Sequence, residues 1–244
     1  MPSYYTKYGG FIFSAGLDKY MFIDVNRPKT DDLIRLKYTK SETVESLDEI
    51  EHELARETLR MMGIEKGIEI SSVADVPAGT GLGSSSCYVV GLLHALHAFK
   101  KEYISLKDIA EEDFKIEVEV LKKPIGKQDP YMAAFGGLTV LNIEKDGRVM
   151  VRKANVSYET ADELNRNMLM FYTGTTRSAE PILTEQGKGV QEEKKEVVES
   201  MHYIKELGQE ILEAVESGNI TEVGRLFHAH WQHKKKISSK MSNE

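Results

Sequence analysis

The first pattern along the chain is alternation. Over 11–25, Phe11, Phe13, Ala15 and Leu17 alternate with Ile12, Ser14 and Gly16, and Tyr20-Met21-Phe22-Ile23 resumes the β-rich run, which predicts strand. A second strand is predicted over 33–38. From Leu47 the period changes: Leu47, Ile50, Leu54, Thr58 and Met61 stand three or four apart, as one helix face requires, and Gly63 ends that helix. Residues 67–73 return to a strand pattern. A loop at 75–83 feeds a predicted helix over 84–99, and Ser105, with Asp108 three positions on, opens another that runs to 121.

The second half begins with a predicted hairpin, 138–143 and 149–156, turned at Asp146-Gly147. Residues 166–172 form an apolar run and are expected to be a strand. From 179 onward the pattern is helical: Val197, Met201, Ile204, Gly208, Ile211 and Val215 alternate spacings of four and three, and a last helix is expected over 221–237. Strands and helices mix in the first part and helices dominate the last third, so the fold class is α+β rather than a regular βαβ alternation.

Charge and composition narrow the chemistry. Of 244 residues, 41% are hydrophobic and 29% charged, the balance of an ordinary globular protein. The formal net charge of -7 argues against duplex nucleic acid as a partner, since that needs a concentrated basic face. No apolar run approaches the roughly 20 residues that span a bilayer. The N-terminal residues have neither the basic start nor the apolar run of a secretory signal, and the single cysteine, Cys87, excludes an internal disulfide. Together these features point to the cytoplasm. The same negative charge repels anionic ligands at long range, so a phosphate-bearing ligand must be drawn in by local donors.

One segment can supply them: Pro77-Ala78-Gly79-Thr80-Gly81-Leu82-Gly83-Ser84-Ser85-Ser86. Three glycines at alternate positions let the backbone approach a ligand closely, and three serines follow where a helix begins. Unpaired N–H groups and the positive end of the helix dipole then point at one spot, which suits a phosphate. A glycine-rich turn with a serine cap is the plainer alternative. A Walker A loop is excluded because no lysine follows Gly83, and the dinucleotide fingerprint is excluded because the glycines are spaced two and two.

Residues 77–86 resemble the central motif of the GHMP kinases, roughly Pro-x-x-x-Gly-Leu-Gly-Ser-Ser-Ala/Ser, at every position. The resemblance extends to Gly126-Lys127-Gln128-Asp129-Pro130-Tyr131-Met132-Ala133-Ala134-Phe135-Gly136-Gly137, which is similar to the signature of the heptose 7-phosphate kinase branch. Phe171-Tyr172-Thr173-Gly174-Thr175-Thr176-Arg177 and Trp231-Gln232-His233-Lys234-Lys235 are also similar to that branch.

The resemblance implies a two-domain fold: a nucleotide-binding part over 1–155, like domain 2 of ribosomal protein S5, and a partial ferredoxin-like part over 156–244. It implies an ATP- and Mg2+-dependent kinase acting on a sugar or sugar phosphate, with the anomeric hydroxyl of a heptose 7-phosphate as acceptor. A kinase for fucose or galactose, or a non-catalytic nucleotide-binding fragment, is the alternative. Pro77, Gly79, Gly81, Leu82, Gly83, Ser84, Ser85 and Ser86 are then expected to bind nucleotide, Ser84 and Glu117 the magnesium ion. Asp129, 12 positions after Glu117, is expected to take the hydroxyl proton. Lys127 would bind substrate phosphate or keep Asp129 ionised, and Gln128 and Arg177 would contact substrate.

Each site residue has a competing plain role. Glu117 shares a helix with Glu111, Glu112 and Glu119, so a solvated carboxylate is its plain alternative, and for Asp129 beside Pro130 it is a turn residue. His228, His230 and His233 lack the four-residue spacing of paired metal ligands, and Cys87 is expected to be a small buried side chain rather than a reactive thiol. The chain also departs from the family pattern. A first strand ending in Gly-Gly-Gly-Thr-Asp and a late glycine-rich motif are both missing from it, which implies a fold truncated at both ends.

Overall fold

The computed structural model describes residues 1–172, 174 and 180–237. In chain order, α1 (Pro2–Tyr8) and β1 (Gly10–Ala15) come first. Strands β2 (Met21–Asn26), β3 (Ile34–Lys37) and β4 (Ser41–Val44) follow, then α2 (Glu53–Met61) and β5 (Ile68–Ala74). Three helices come next, α3 (Ser84–Lys100), α4 (Leu106–Phe114) and α5 (Gln128–Phe135), with a π-helical turn over Lys115–Val120 between the last two. The hairpin β6 (Leu138–Ile143) and β7 (Val149–Lys153) precedes α6 (Tyr158–Asn167), α7 (Glu180–Gln191), α8 (Lys195–Glu216) and α9 (Ile220–Lys234). The mixed α+β class is as expected. Among the described residues no helix is long and apolar enough to cross a membrane.

Two compact units divide the chain at 16/17 and 136/137, with Leu17–Gly136 as one and the segments on either side of it as the other. In the first unit a four-stranded sheet has the order β2-β5-β3-β4, with β3 and β5 parallel and the other pairs antiparallel. Ile34 pairs with Ile68 and Leu36 with Ile70, and all four side chains are buried. Helix α3 lies in the same core with Val89, Leu92, Leu93 and Leu96 fully buried, joined by Leu59 of α2 and Ile109 of α4. A helix apolar on most of its circumference belongs inside a domain, which is where α3 sits.

In the second unit β1, β6 and β7 form an antiparallel sheet in which Phe11 faces Asn142 and Phe13 faces Val140. Leu207, Ile211 and Val215 of α8 pack with Val223 and Leu226 of α9, and Phe13 and Leu138 lie against that cluster. No strand follows Lys153 among the described residues, so the part expected to be ferredoxin-like is helical there.

Three predicted elements differ from what forms. The run 11–25 becomes two strands in different sheets, because Gly16 turns the chain and donates its N–H to Gly137 at 2.8 Å. The helix predicted from Leu47 is a short 3-10 turn, Leu47–Glu49, followed only after a break by α2. The cause is polar competition: the N–H groups of Glu51 and His52 donate to the Glu42 carboxylate at 2.6 and 3.2 Å, and His52 Nδ1 then accepts from Ala55 N–H to cap α2. The strand expected over 166–172 is the end of α6 followed by irregular backbone. Leu169 and Phe171 there are about four-fifths exposed (80% and 79%), and an apolar run makes a strand only when another strand supplies its hydrogen bonds.

Leu93 tests whether the α3 core holds the first unit together. Leu93→Ala is expected to cost about 2–5 kcal/mol, read as a shift of the urea midpoint; a loss under about 0.5 kcal/mol, the range of a neutral surface change, would mean that α3 is not packed as described.

Candidate active site

The glycine loop starts pinned. Asp75 N–H donates to the Tyr20 carbonyl at 3.0 Å, and its carboxylate accepts from Tyr20 N–H at 2.8 Å. Beyond that anchor Gly79, Gly81 and Gly83 have φ of 77°, 79° and 70°, backbone that side chains disfavour. Gly83, at φ 70° and ψ 29°, is the N-cap of α3 and brings no side chain to the helix end. The N–H groups of Ser84, Ser85 and Ser86 therefore lack intrahelical acceptors, and no acidic residue stands in that first turn to compete for them. Pro77, Gly79, Gly81 and Leu82 are exposed, Ser84 and Ser85 half-buried and Ser86 buried, so the donors grade from solvent into the unit.

Glu117 meets these serines from below. It lies on the π-helical turn after α4, where Leu121 N–H bonds back to the Ile116 carbonyl. Such turns arise where a helix re-aims a side chain. The residue is fully buried, which removes the solvated-carboxylate reading. Its Oε1 accepts from the Ser86 hydroxyl at 2.7 Å and from Ser85 at 3.4 Å, while Oε2 has no hydrogen-bond partner. The hydroxyls in contact are thus those one and two positions beyond Ser84. An orphaned buried oxygen beside hydroxyls is a hard-donor set that suits magnesium, which takes few protein oxygens and completes its shell with water and phosphate.

Asp129 stands in the first turn of α5 and approaches the loop directly. A Cβ added at Gly83 would lie 3.6 Å from Asp129 Cβ and Cγ, so the missing side chain there is also what lets the carboxylate come close. Burial, followed by the Glu117 charge, raises the Asp129 pKa above the usual carboxylate range. Lys127, nearly fully buried, is engaged elsewhere: its ammonium binds the Glu111 carboxylate at 2.7 Å and lies 4.5 Å from the centre of the Phe114 ring. The Tyr131 hydroxyl donates to the same Glu111. Gln128 is exposed, and Arg177 lies outside the described residues.

Two residues of this cluster were missed as site residues. Glu111 was given no role of its own, and nothing in the sequence says that Lys127 and Tyr131 fold back onto it. Asp113 had a signal: it lies one turn before Glu117, between Ile109 and Ile116, on a face where a carboxylate is out of place. It is fully buried with neither oxygen hydrogen-bonded, and its pKa is pushed up to about 10 by burial and then by Glu117. Cys87 is half-buried, and burial together with Asp129 and Asp113 raises its pKa, which keeps it a thiol. Among the described residues no group of three or more His, Cys, Asp or Glu side chains is placed to share a metal ion.

Residues 33–137, which hold the contacts of Glu117, Lys127 and Asp129, match the model for the GHMP kinases N terminal domain. This stretch of the chain is a GHMP kinase N-terminal domain. A D-glycero-alpha-D-manno-heptose 7-phosphate kinase of Campylobacter jejuni is 32% identical over 175 residues, covering 72% of this chain and 51% of that protein. An L-fucokinase/L-fucose-1-P guanylyltransferase of Bacteroides fragilis is 29% identical over 175 residues, covering 71% of this chain and 18% of that protein. The crystal structure of a D-glycero-D-manno-heptose 1-phosphate kinase from Bacteroides thetaiotaomicron has a TM-score of 0.79 at 24% identity, covering 96% of this chain and 73% of that one, and so shares its fold. The chain spans about half the length of the first curated relative and under a fifth of the second.

The buried Asp113 makes stability depend on pH. A raised carboxyl pKa means that the folded chain keeps a proton which the unfolded chain releases above about pH 4. Its contribution is therefore fully present below that pH and is lost as pH rises toward about 10. In the presence of a chelator, Asp113→Asn should raise Tm at pH 8 by about 3 °C or more, with the gain shrinking toward pH 4. A difference that stays constant across that range would show that Asp113 is not held protonated.

Proposed function

We propose that the protein is an ATP-dependent sugar kinase that transfers the γ-phosphoryl group to a sugar hydroxyl, the anomeric hydroxyl of a heptose 7-phosphate. One observation carries the proposal: the open N-terminus of α3 is joined through Ser86 to a buried carboxylate with a free oxygen, and Asp129 lies close against Gly83 at the same helix start. The similarity to a heptose 7-phosphate kinase over most of the chain supports the acceptor. A second reading, a fucose-type or galactose-type kinase, is supported by the fucokinase relative, which matches a comparable stretch. A non-catalytic nucleotide-binding fragment is the third. The division into a nucleotide-binding part over 1–155 and a partial second domain from 156, and a cytoplasmic location, belong to the same proposal.

In this reading the N–H groups from Gly79 to Ser86 hold the triphosphate, with Pro77 and Leu82 shaping the loop around it. Ser84, Glu117 and the serines bonded to Glu117 hold magnesium, which when bound offsets the negative charge of the phosphates. Asp129 accepts the proton of the acceptor hydroxyl. The sugar oxygen bonds to the γ-phosphorus as the bond to the leaving ADP oxygen breaks. Phosphoryl transfer of this kind asks a protein mainly for position and charge. An aspartate that holds protons more tightly than usual is also a better acceptor for one at neutral pH. Lys127, held by Glu111, steadies the turn that presents Asp129, and Gln128 and Arg177 are assigned to the substrate.

With magnesium-ATP and heptose 7-phosphate, Asp129→Asn is expected to lower kcat by about 100-fold or more while the calorimetric affinity for ATP changes little. ADP release by the variant at the wild-type rate would remove Asp129 from the reaction. No ADP release by the wild-type chain with any sugar, together with intact ATP binding, would favour the non-catalytic reading.

A further inference from the structure

Asp113 is not used in the reaction above, yet it is one of the most unusual groups in the chain. It and Glu117 are both fully buried and four positions apart, the spacing that stacks side chains on one helix face. Of their four carboxylate oxygens, three have no hydrogen-bond partner. The nearby hydroxyls of Ser85 and Ser86 both donate to the fourth, Glu117 Oε1. Among the described residues neither carboxylate forms an ion pair with a basic side chain, and the buried Lys127 is committed to Glu111. Two buried carboxyls in this state cannot both be charged without a positive species between them.

That species is either a proton or a cation. The donor set argues for the second: three free carboxylate oxygens and two hydroxyls, without nitrogen or sulfur ligands, are what a hard divalent ion takes. We propose that Asp113 is a second carboxylate of the divalent-cation site, so that Asp113 and Glu117 together hold the ion before nucleotide arrives. The proposal rests on the kinase reading only in placing a cation beside Glu117. It goes further by giving the ion two protein carboxylates rather than one, with water and phosphate oxygens completing its shell. A site of this kind retains its ion between turnovers, whereas one carboxylate and a hydroxyl depend on the triphosphate to bring it.

The test uses the full chain and Mn2+ alone, titrated without nucleotide and followed by the loss of the free-ion paramagnetic resonance signal. Wild type is expected to bind one Mn2+, displaced by excess Mg2+, and Asp113→Asn to bind it on the order of 10-fold more weakly or worse. Circular dichroism confirms that the variant is folded; should it unfold, Asp113→Ser is read in the same titration. Equal Mn2+ affinity in wild type and variant would overturn the proposal and leave a shared proton as the occupant. So would Mn2+ binding that occurs only with ATP present. Calorimetry with ATP separates this failure from that of the kinase reading: Mn2+ binding without any ATP binding sinks the kinase and leaves the site, whereas ATP binding with an indifferent Asp113 does the reverse.

Discussion

The contact on which the site depends is between the Ser86 hydroxyl and Glu117, two side chains fully withdrawn from water. A carboxylate without solvent is costly unless donors or cations replace the lost hydration. Here the replacement is partial: two hydroxyls serve one oxygen and the other is left bare. That residual demand for positive charge sits at the base of a helix whose first N–H groups attract negative charge. A cation and an anion placed together would satisfy both, which is the physical ground for the metal-bound triphosphate proposed above.

The surrounding elements are arranged to keep that contact in place. Helix α3 buries its own Leu92, Leu93 and Leu96 in a core shared with Leu59 of α2 and Ile109 of α4, which anchors the helix although the loop before it is exposed. The π-helical turn aims Glu117 inward while its neighbour Glu119 faces solvent. On α5, the Lys127–Glu111–Tyr131 cluster ties the start of the helix to α4, and this fixes where Asp129 can stand. Charge is thus distributed by role. Lys127 is engaged with Glu111, whereas Glu117 keeps one oxygen without a hydrogen-bond partner.

Local features of this kind were legible in different degrees. Ser105 and Asp108 announced α4, and its side-chain cap forms as the spacing implies. The glycine loop and the start of α3 were equally plain, because alternating positive φ and an uncapped first turn are properties of the residues themselves. The helix break after Leu47 was not, since it depends on Glu42, a residue on another strand, capturing the N–H groups of Glu51 and His52. Apolar spacing alone also predicted a strand at 166–172, although strands need partners that no local pattern can supply.

By itself, then, the chain's order of residues determined where backbone is open to close approach, which helix start follows that loop, and the family those motifs resemble. Conformational freedom at glycine and unpaired amides at a helix start are short-range properties, so a short-range code suffices for them. Tertiary structure alone decided the company each charge keeps: Lys127 with Glu111 rather than Asp129, Glu117 with Ser85 and Ser86, Asp113 buried near Glu117 without a hydrogen-bond partner for either oxygen. Those outcomes depend on burial and on contacts across 16 to 32 residues of chain, and desolvation is a property of the packed interior, not of any residue in isolation.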